Sequence, residues 1–472
     1  MSAPLFEAWQ RFVAAADDGR VTPFTIPGHK RRGATVSAAL GRLLDSDVPL
    51  YGGLDTVGLR AGVLAAAERE AARYWGADWL RFSTGGSTQA NQVTCLAVGR
   101  PGDTVLVART SHRSVLSGLA LAGLRPVWLP TEVDSAGVPR GIATATVRRA
   151  LEENSQAQAV FLVDPSYTGT VSALAETVAL CHEHDVPVVV DQAWGAHFGA
   201  HPAVPGTALA AGADAMVFSA HKSLPAVSQA AVVAAQGARL DLDRFERAVA
   251  TLESTSPAGA VLASTDAARW LLETRGEPLL EALIAAVRDV RRRLAAVDVV
   301  TADVDDPLKL VLLMAPSGLD GRELEADLLA AGLPVEQADR DTVVPMVGLL
   351  DDARTLDRLA TAVEAAVTGR PRRPRPVIAA PWWTMPPPVV RLDLRQAAVA
   401  AHRTVAFAAA SGAVSAELIA AYPPGVPLVA PGEEFTAAVL SGLDAARAAG
   451  VRIAYAADPS LGTVQVVTPD AG

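Results

Sequence analysis

From about residue 104 to residue 235, short apolar runs rich in β-branched residues alternate with longer stretches whose apolar positions recur every three or four residues. The short runs predict strands over 104–108, 126–129, 159–163, 186–190 and 215–218. The longer stretches predict helices over 88–97, 113–122, 142–152 and 174–184. The strands are apolar at consecutive positions rather than at every second one. That pattern belongs to a sheet covered on both faces, and therefore a mainly parallel one. A further helix is expected over 62–75, whereas residues 1–60 read as irregular, with turn signals at Pro23, Pro27-Gly28 and Gly52-Gly53.

Beyond the alternating region, residues 240–295 read as long helices, including 266–274 and 279–295, and residues 297–370 as a smaller mix of strands and helices. An Arg- and Pro-rich run starts at Arg370, and three prolines follow at 386–388; this break reads as a solvated linker. The rest is expected to hold an Ala-rich helix over 394–410 and short strands. The fold class is therefore α/β, with a smaller α/β unit and a C-terminal α+β unit. The expected divisions are 1–60, 61–260, 261–370, 371–388 and 389–472.

Composition narrows the function classes. The 472 residues are 50% hydrophobic and 19% charged, which excludes a largely disordered chain. Lys plus Arg is 41 against 51 Asp plus Glu, a formal net charge of −10, so a nucleic-acid partner is disfavoured. A small zwitterionic substrate stays open, because local charge can oppose net charge. The two cysteines, Cys95 and Cys181, support neither a disulfide framework nor a thiolate metal site and read as core residues. No secretory signal and no run of ~18 apolar residues is visible, so no membrane partner and a cytoplasmic location are expected.

Four local signals carry chemistry. Ser219, Ala220, His221, Lys222 and Ser223 follow the strand expected over 215–218. Strand C-terminal ends are where open α/β sheets place ligands, and a lysine there can form a Schiff base. Taken alone, Lys222 is equally well a surface lysine. Asp191 follows the 186–190 strand, where it could bind a metal, orient a ribose, pair with a pyridinium nitrogen or simply cap a helix. Gly85, Gly86, Ser87 and Thr88 open a helix whose amides could hold a phosphate, and they could also be an ordinary capped turn. His112 ends the loop after the 104–108 strand, placed to stack on an aromatic ring or to serve structure, as His29, His182, His184, His197 and His201 could. His182 and His184 lack helical metal spacing, so no metal is assigned. Together, a lysine, a carboxylate, a stacking ring and a phosphate cradle on successive strands of one sheet make the set that pyridoxal 5'-phosphate requires.

Several segments match one family closely: 24–30 around Pro27, Gly28 and His29; Gly86-Ser87-Thr88; the stretch around His112; Asp164 to Gly169; Ser219 to Gln229; Ser254 to Pro257; and Tyr422 to Glu433. The chain resembles the bacterial ornithine/lysine/arginine decarboxylases in their short form, pyridoxal-phosphate enzymes of the aspartate aminotransferase fold (fold type I). The last segment is the most specific, since aminotransferases lack that C-terminal domain.

The resemblance implies roles. Lys222 would carry the cofactor, Asp191 would pair with its ring nitrogen, and His112 would stack on the ring, with Ala193 under the other face and Trp194 beside it. Ser87, Thr88, Ser219 and His221 would hold the phosphate. Glu433, helped by Glu336, would meet the distal cation of the substrate, and Ser254, Thr255 and Ser256 would enter from a partner subunit of at least a homodimer. The implied reaction is α-decarboxylation of arginine, lysine or ornithine, with Lys222 or His221 returning a proton to the α-carbon. Departures from the short members are Gln192, Trp194, Arg113, the segment around Asp55 and Thr56, and Asp339, Arg340 and Asp341 near Glu336. A different fold type I activity, an aminotransferase or a lyase, is the competing enzyme reading, and a non-catalytic cofactor-binding relative is a third.

Overall fold

The computed structural model describes residues 2–21, 29, 31, 33–48, 50, 54, 61–371, 373–377, 389–422 and 425–468. The turn signals at Pro23, Pro27-Gly28 and Gly52-Gly53, most of the segment 24–30, Asp55, Thr56 and the prolines at 386–388 lie outside those residues.

The N-terminal part corrects the expectation of irregular chain over 1–60. Helix α1 (Pro4–Asp17) starts on a proline, which suits a first helical position, and buries Leu5, Ala8 and Phe12 along one face. Its N-terminus lacks a cap of its own. Instead Asp266 accepts hydrogen bonds from the backbone of Leu5 at 3.0 Å and Phe6 at 3.2 Å. Arg269, fully buried, pairs with Asp266 at 2.7 Å and Glu273 at 2.6 Å and donates to the carbonyl of Ser2. Helix α2 (Ala38–Leu44), capped by Ser37, follows.

Helix α3 (Val63–Trp75) leads into the central sheet. Its strands are β1 (Trp79–Ser83), β2 (Thr104–Ala108), β3 (Arg125–Leu129), β4 (Val160–Val163), β5 (Val188–Asp191), β6 (Ala215–Ser219) and β7 (Ala231–Ala235). They are arranged β1-β7-β6-β5-β4-β2-β3, and only β7 runs against the others. Along β2, Val105 and Val107 join one core cluster while Leu106 and Ala108 join the other, so both faces are covered as the apolar runs require. The helices between strands are α4 (Gly86–Val98), α5 (Arg113–Ala122), α6 (Thr144–Glu153), α7 (Leu174–Glu183) and the four-residue α8 (Ala220–Ser223). Cys95 and Cys181 are fully buried in the two clusters.

After α9 (Leu242–Leu252) comes one 38-residue helix, α10 (Gly259–Ala296), rather than separate helices over 266–274 and 279–295. Pro278 lies inside it. A proline inside a helix costs ~3 kcal/mol, and the buried row Leu272, Leu280, Leu283, Ile284 and Val287 on either side offsets that. A four-stranded antiparallel sheet follows, formed by β8 (Val300–Thr301), β9 (Leu312–Leu313), β10 (Gln337–Ala338) and β11 (Thr342–Val344), with helices α11 (Gly321–Ala330) and α12 (Ala353–Val367).

The Arg- and Pro-rich run is not simply solvated where it is described. Arg375 bonds the carbonyls of Arg340 at 2.6 Å and Leu319 at 2.9 Å and ion-pairs with Asp341. Asp339 accepts from the backbone of Asp341 and Thr342 and shapes the turn between β10 and β11. The acids that depart from the family pattern therefore build a turn and dock the run.

In the C-terminal part, helix α13 (Leu394–Val399) ends well short of 410. The chain then enters β12 (His402–Ala406), which pairs antiparallel with β16 (Thr463–Val467). The expected helix over 394–410 thus gives way to a strand after Val399, because cross-strand pairing outweighs the helix preference of the alanines. Strands β13 (Ile419–Tyr422), β14 (Val426–Val429) and β15 (Arg452–Ala454) form a second small sheet, and α14 (Ala437–Ala448) packs against it. Among the described residues no helix is long and apolar enough to cross a membrane.

Candidate active site

The C-terminal ends of β1, β2, β4, β5 and β6 face one pocket. Ser87, His112, Asp191, Ala193, Trp194 and Lys222 all line it, with Tyr167 after β4 and Gly425 and Val426 from the C-terminal part. Thr88 is exposed and not part of this lining.

Each side chain has a local reason for its position. Gly86 takes a φ of +70° where the chain turns from β1 into α4, and its amide donates to the Gln229 carbonyl at 2.9 Å. Ser219, at the end of β6, donates to the Ser87 hydroxyl at 3.0 Å, so two hydroxyls meet at that helix end. His221 and Lys222 sit on the single turn of α8. His221 Nδ1 donates to the Ala230 carbonyl at 2.8 Å, which leaves Nε2 as the acceptor in the neutral ring.

Asp191 is buried at the end of β5 and accepts from the Ala193 backbone at 3.1 Å and from Asn91 Nδ2 at 2.8 Å. Asn91 Nδ2 also donates to Ser114 Oγ at 3.0 Å, and Ser114 Oγ lies 2.8 Å from His112 Nδ1. The Ser114 backbone N–H points at the same nitrogen, so Nδ1 is an acceptor and the neutral ring carries its proton on Nε2. One chain of hydrogen bonds thus connects the buried carboxylate to the ring. Sequence reading missed Asn91 and Ser114. The available signal was a polar residue on the inner face of an apolar helix.

Burial sets the electrostatics. It pushes the His112 imidazole below its ordinary range, with Asp191 opposing the shift and Lys222 adding to it. Burial also lowers the Lys222 ammonium, opposed by Asp191 and Glu336. A second lysine, Lys309, also missed, is buried beside the site and brought down to about 8 by desolvation. The Lys222 Nζ lies 4.0 Å and the Lys309 Nζ 3.8 Å from the Trp194 ring centroid, and Tyr167 packs edge-on to the same ring at 4.9 Å. The departure at Gln192 is structural: its amide bonds the Gly195 carbonyl and the Ala208 backbone, both at 2.7 Å. Arg113 lies over the Tyr455 ring at 4.9 Å.

The acids expected at the substrate separate. Glu336 is exposed, and its field reaches Lys222, Lys309, Tyr167 and Tyr422. Glu433 is 2% exposed, does not line the pocket of Lys222, and is bound bidentately by Arg109 at 2.6 and 2.9 Å. Ser254, Thr255 and Ser256 are exposed and do not line this pocket within one chain.

The profile of the Orn/Lys/Arg decarboxylase major domain matches residues 3–326, and that of the corresponding C-terminal domain matches residues 392–452. The arginine decarboxylase of Halalkalibacterium halodurans is 30% identical over 98% of this chain and 97% of its own length. The arginine decarboxylase of Bacillus subtilis is 29% identical over 94% of each chain. Lysine decarboxylase A from Pseudomonas aeruginosa superposes with a TM-score of 0.82 at 20% identity, covering 98% of this chain and 80% of that one. The central sheet is that of the aspartate aminotransferase class, fold type I, as the sequence resemblance implied. With both the major and the C-terminal domain matched, the chain belongs to the Orn/Lys/Arg decarboxylase family.

Proposed function

We propose that the protein is a pyridoxal 5'-phosphate-dependent decarboxylase of a basic amino acid, with arginine the first substrate to try. The observation that carries this reading is the convergence of Lys222, Asp191, His112 and the Ser87–Ser219 hydroxyl pair on one pocket. The donor set fits the cofactor: a buried carboxylate for a protonated ring nitrogen, an amine for an aldehyde, and two hydroxyls at a helix N-terminus for a phosphate. Arginine comes first because long relatives carry the name arginine decarboxylase.

When bound, pyridoxal phosphate supplies the electron sink for the carbon–carbon bond that breaks. Lys222 Nζ would carry it, and Ser87 and Ser219, with His221 close by, would hold its phosphate. Asp191, fixed by Asn91, would keep a proton on the ring nitrogen. His112, held by Ser114, would cover one ring face and Ala193 the other, and with Trp194 they would keep water out. Lys222 Nζ, once the substrate amine has released it, would return a proton to the α-carbon. It suits this better than His221, whose ring is tied to the Ala230 carbonyl. Glu336 meets the distal cation of the substrate. Ser254, Thr255 and Ser256 are exposed and free to complete the pocket of a partner subunit in a homodimer.

The test is carbon dioxide release from arginine, lysine and ornithine by the full chain, with and without added pyridoxal phosphate. Cofactor-dependent release from one of these is expected. Amino-group transfer to a keto acid without release would overturn the reading in favour of an aminotransferase.

A further inference from the structure

Lys309 is a second buried lysine at the pocket, and its base is fixed on every side. Its backbone N–H donates to the Asp306 carbonyl at 3.1 Å, and its own carbonyl accepts from Arg291 at 2.6 Å. Its stem runs against Gly169, in the loop after β4. A Cβ on Gly169 would come within 2.5 Å of Lys309 Cγ, and Gly169 takes a φ of +91°, so only glycine lets this stem pass. Asp306, next to this stem, is 1% exposed; its Oδ1 is engaged by His197 at 3.1 Å and by the Leu308 backbone at 3.0 Å, while its Oδ2 makes no hydrogen bond, to Lys309 or to any other described residue.

The head is different. Among the described residues the Lys309 ammonium makes no hydrogen bond and no ion pair. It lies 3.8 Å from the Trp194 ring centroid and 5.4 Å from that of Tyr167. Asp306 and Glu336 reach it only through their fields, and a buried ammonium with no direct polar partner is costly unless a ligand completes it. The ligand must be anionic, because no carboxylate contacts the ammonium directly and a second cation, Lys222, stands beside the same indole.

We propose that Lys309 is a substrate-binding residue that receives the α-carboxylate of the amino acid. The inference rests on the amino-acid decarboxylase reading and deepens it. An amino acid brings one anionic group into a pocket whose other buried cation, Lys222, is engaged with the cofactor. Lys309 fixes where that carboxylate lies relative to the ring, and so which bond at the α-carbon is broken. The arrangement separates recognition of the two ends of a basic substrate: Lys309 for the carboxylate, Glu336 for the distal cation.

The test uses two analogues of arginine that cannot be decarboxylated at the α-carbon, on the full chain loaded with cofactor: 5-guanidinopentanoate, which keeps the carboxylate and lacks the α-amine, and agmatine, which keeps the amine and lacks the carboxylate. Calorimetry gives their affinities for the wild type, Lys309→Met and Lys309→Arg. If lysine proves to be the substrate, 6-aminohexanoate and 1,5-diaminopentane replace them; for ornithine, 5-aminopentanoate and 1,4-diaminobutane. In Lys309→Met the carboxylate analogue should weaken by about 10- to 100-fold while the amine is unchanged, and Lys309→Arg should recover part of the loss. Equal weakening of both compounds would overturn the proposal in favour of a general packing role, and so would no change in either. Wild-type protein that releases no carbon dioxide and binds neither compound would overturn the decarboxylase reading itself. Normal release by the wild type, with both affinities unchanged in the variant, would overturn only the role of Lys309.

Discussion

Arg109 holds Glu433 in a two-pronged ion pair at 2.6 and 2.9 Å, joining the loop after β2 to the C-terminal part of the chain. The same guanidinium donates to the carbonyls of Pro427 and Leu428 and lies over the Trp128 ring. Glu433 therefore acts as a fastener within this chain, and in the proposed reading the substrate's cation falls to Glu336. Removing Arg109 would strand a buried carboxylate. Arg109→Ala is expected to lose about 3–5 kcal/mol of stability, measured by chemical denaturation. Glu433→Gln should raise the KM for the amino acid less than Glu336→Gln does.

Asn91 ties together two groups that sequence reading had placed in the site separately. Asn91→Leu removes the donor to both Asp191 and Ser114. A stability loss of about 1–3 kcal/mol is expected from the buried acceptors left without partners. Because His112 is oriented through Ser114, the visible spectrum of the cofactor-loaded protein should shift as well. Ser114→Ala should reproduce the spectral change with a smaller stability loss.

The buried Lys309 ammonium ties stability to pH. Lys309 is brought down to about 8 in the folded protein by burial, with Lys222 adding to the shift and Asp306 and Glu336 opposing it. The unfolded chain holds the proton up to the ordinary lysine range near 10.4. Between those values the unfolded state binds more protons, so stability rises with pH there. Below pH 8 the penalty is present in full, roughly 3 kcal/mol. Lys309→Met should therefore be more stable than the wild type at pH 7, and the difference should shrink as pH climbs from 8 to 10. A variant less stable at pH 7 would contradict this.

Gly169 offers an indirect check. Gly169→Ala forces a side chain into the Lys309 stem at a backbone angle that suits glycine. A loss of roughly 1–3 kcal/mol is expected, together with weaker binding of the carboxylate analogue. Unchanged binding would separate the loop from the lysine.

Much of the central sheet was legible because β2, β4, β5 and β6 are continuous apolar runs. Strand β1 was not, because Arg81 interrupts it, and that residue is accommodated by Glu246 at 2.8 Å, a contact no local pattern reveals. Strand β7 is alanine-rich and reads as helix as easily as strand. Helix α1 carries its pattern openly in Leu5, Ala8 and Phe12, but its cap comes from Asp266, far along the chain. In the site, Lys222, Asp191 and His112 could be read because each follows a strand. Lys309 could not: a lysine between Leu308 and Leu310 has no local mark of function, and only tertiary packing turns its ammonium to Trp194.

The central claim is that Lys222 carries the cofactor while Lys309, as close to the same indole, does not. Borohydride reduction of the cofactor-loaded protein, followed by digestion and mass spectrometry, tests it directly. The expected result is one reduced pyridoxyl group, on Lys222, and none in Lys222→Ala. A pyridoxyl group on Lys309, or no modified lysine in the pocket, would contradict the account.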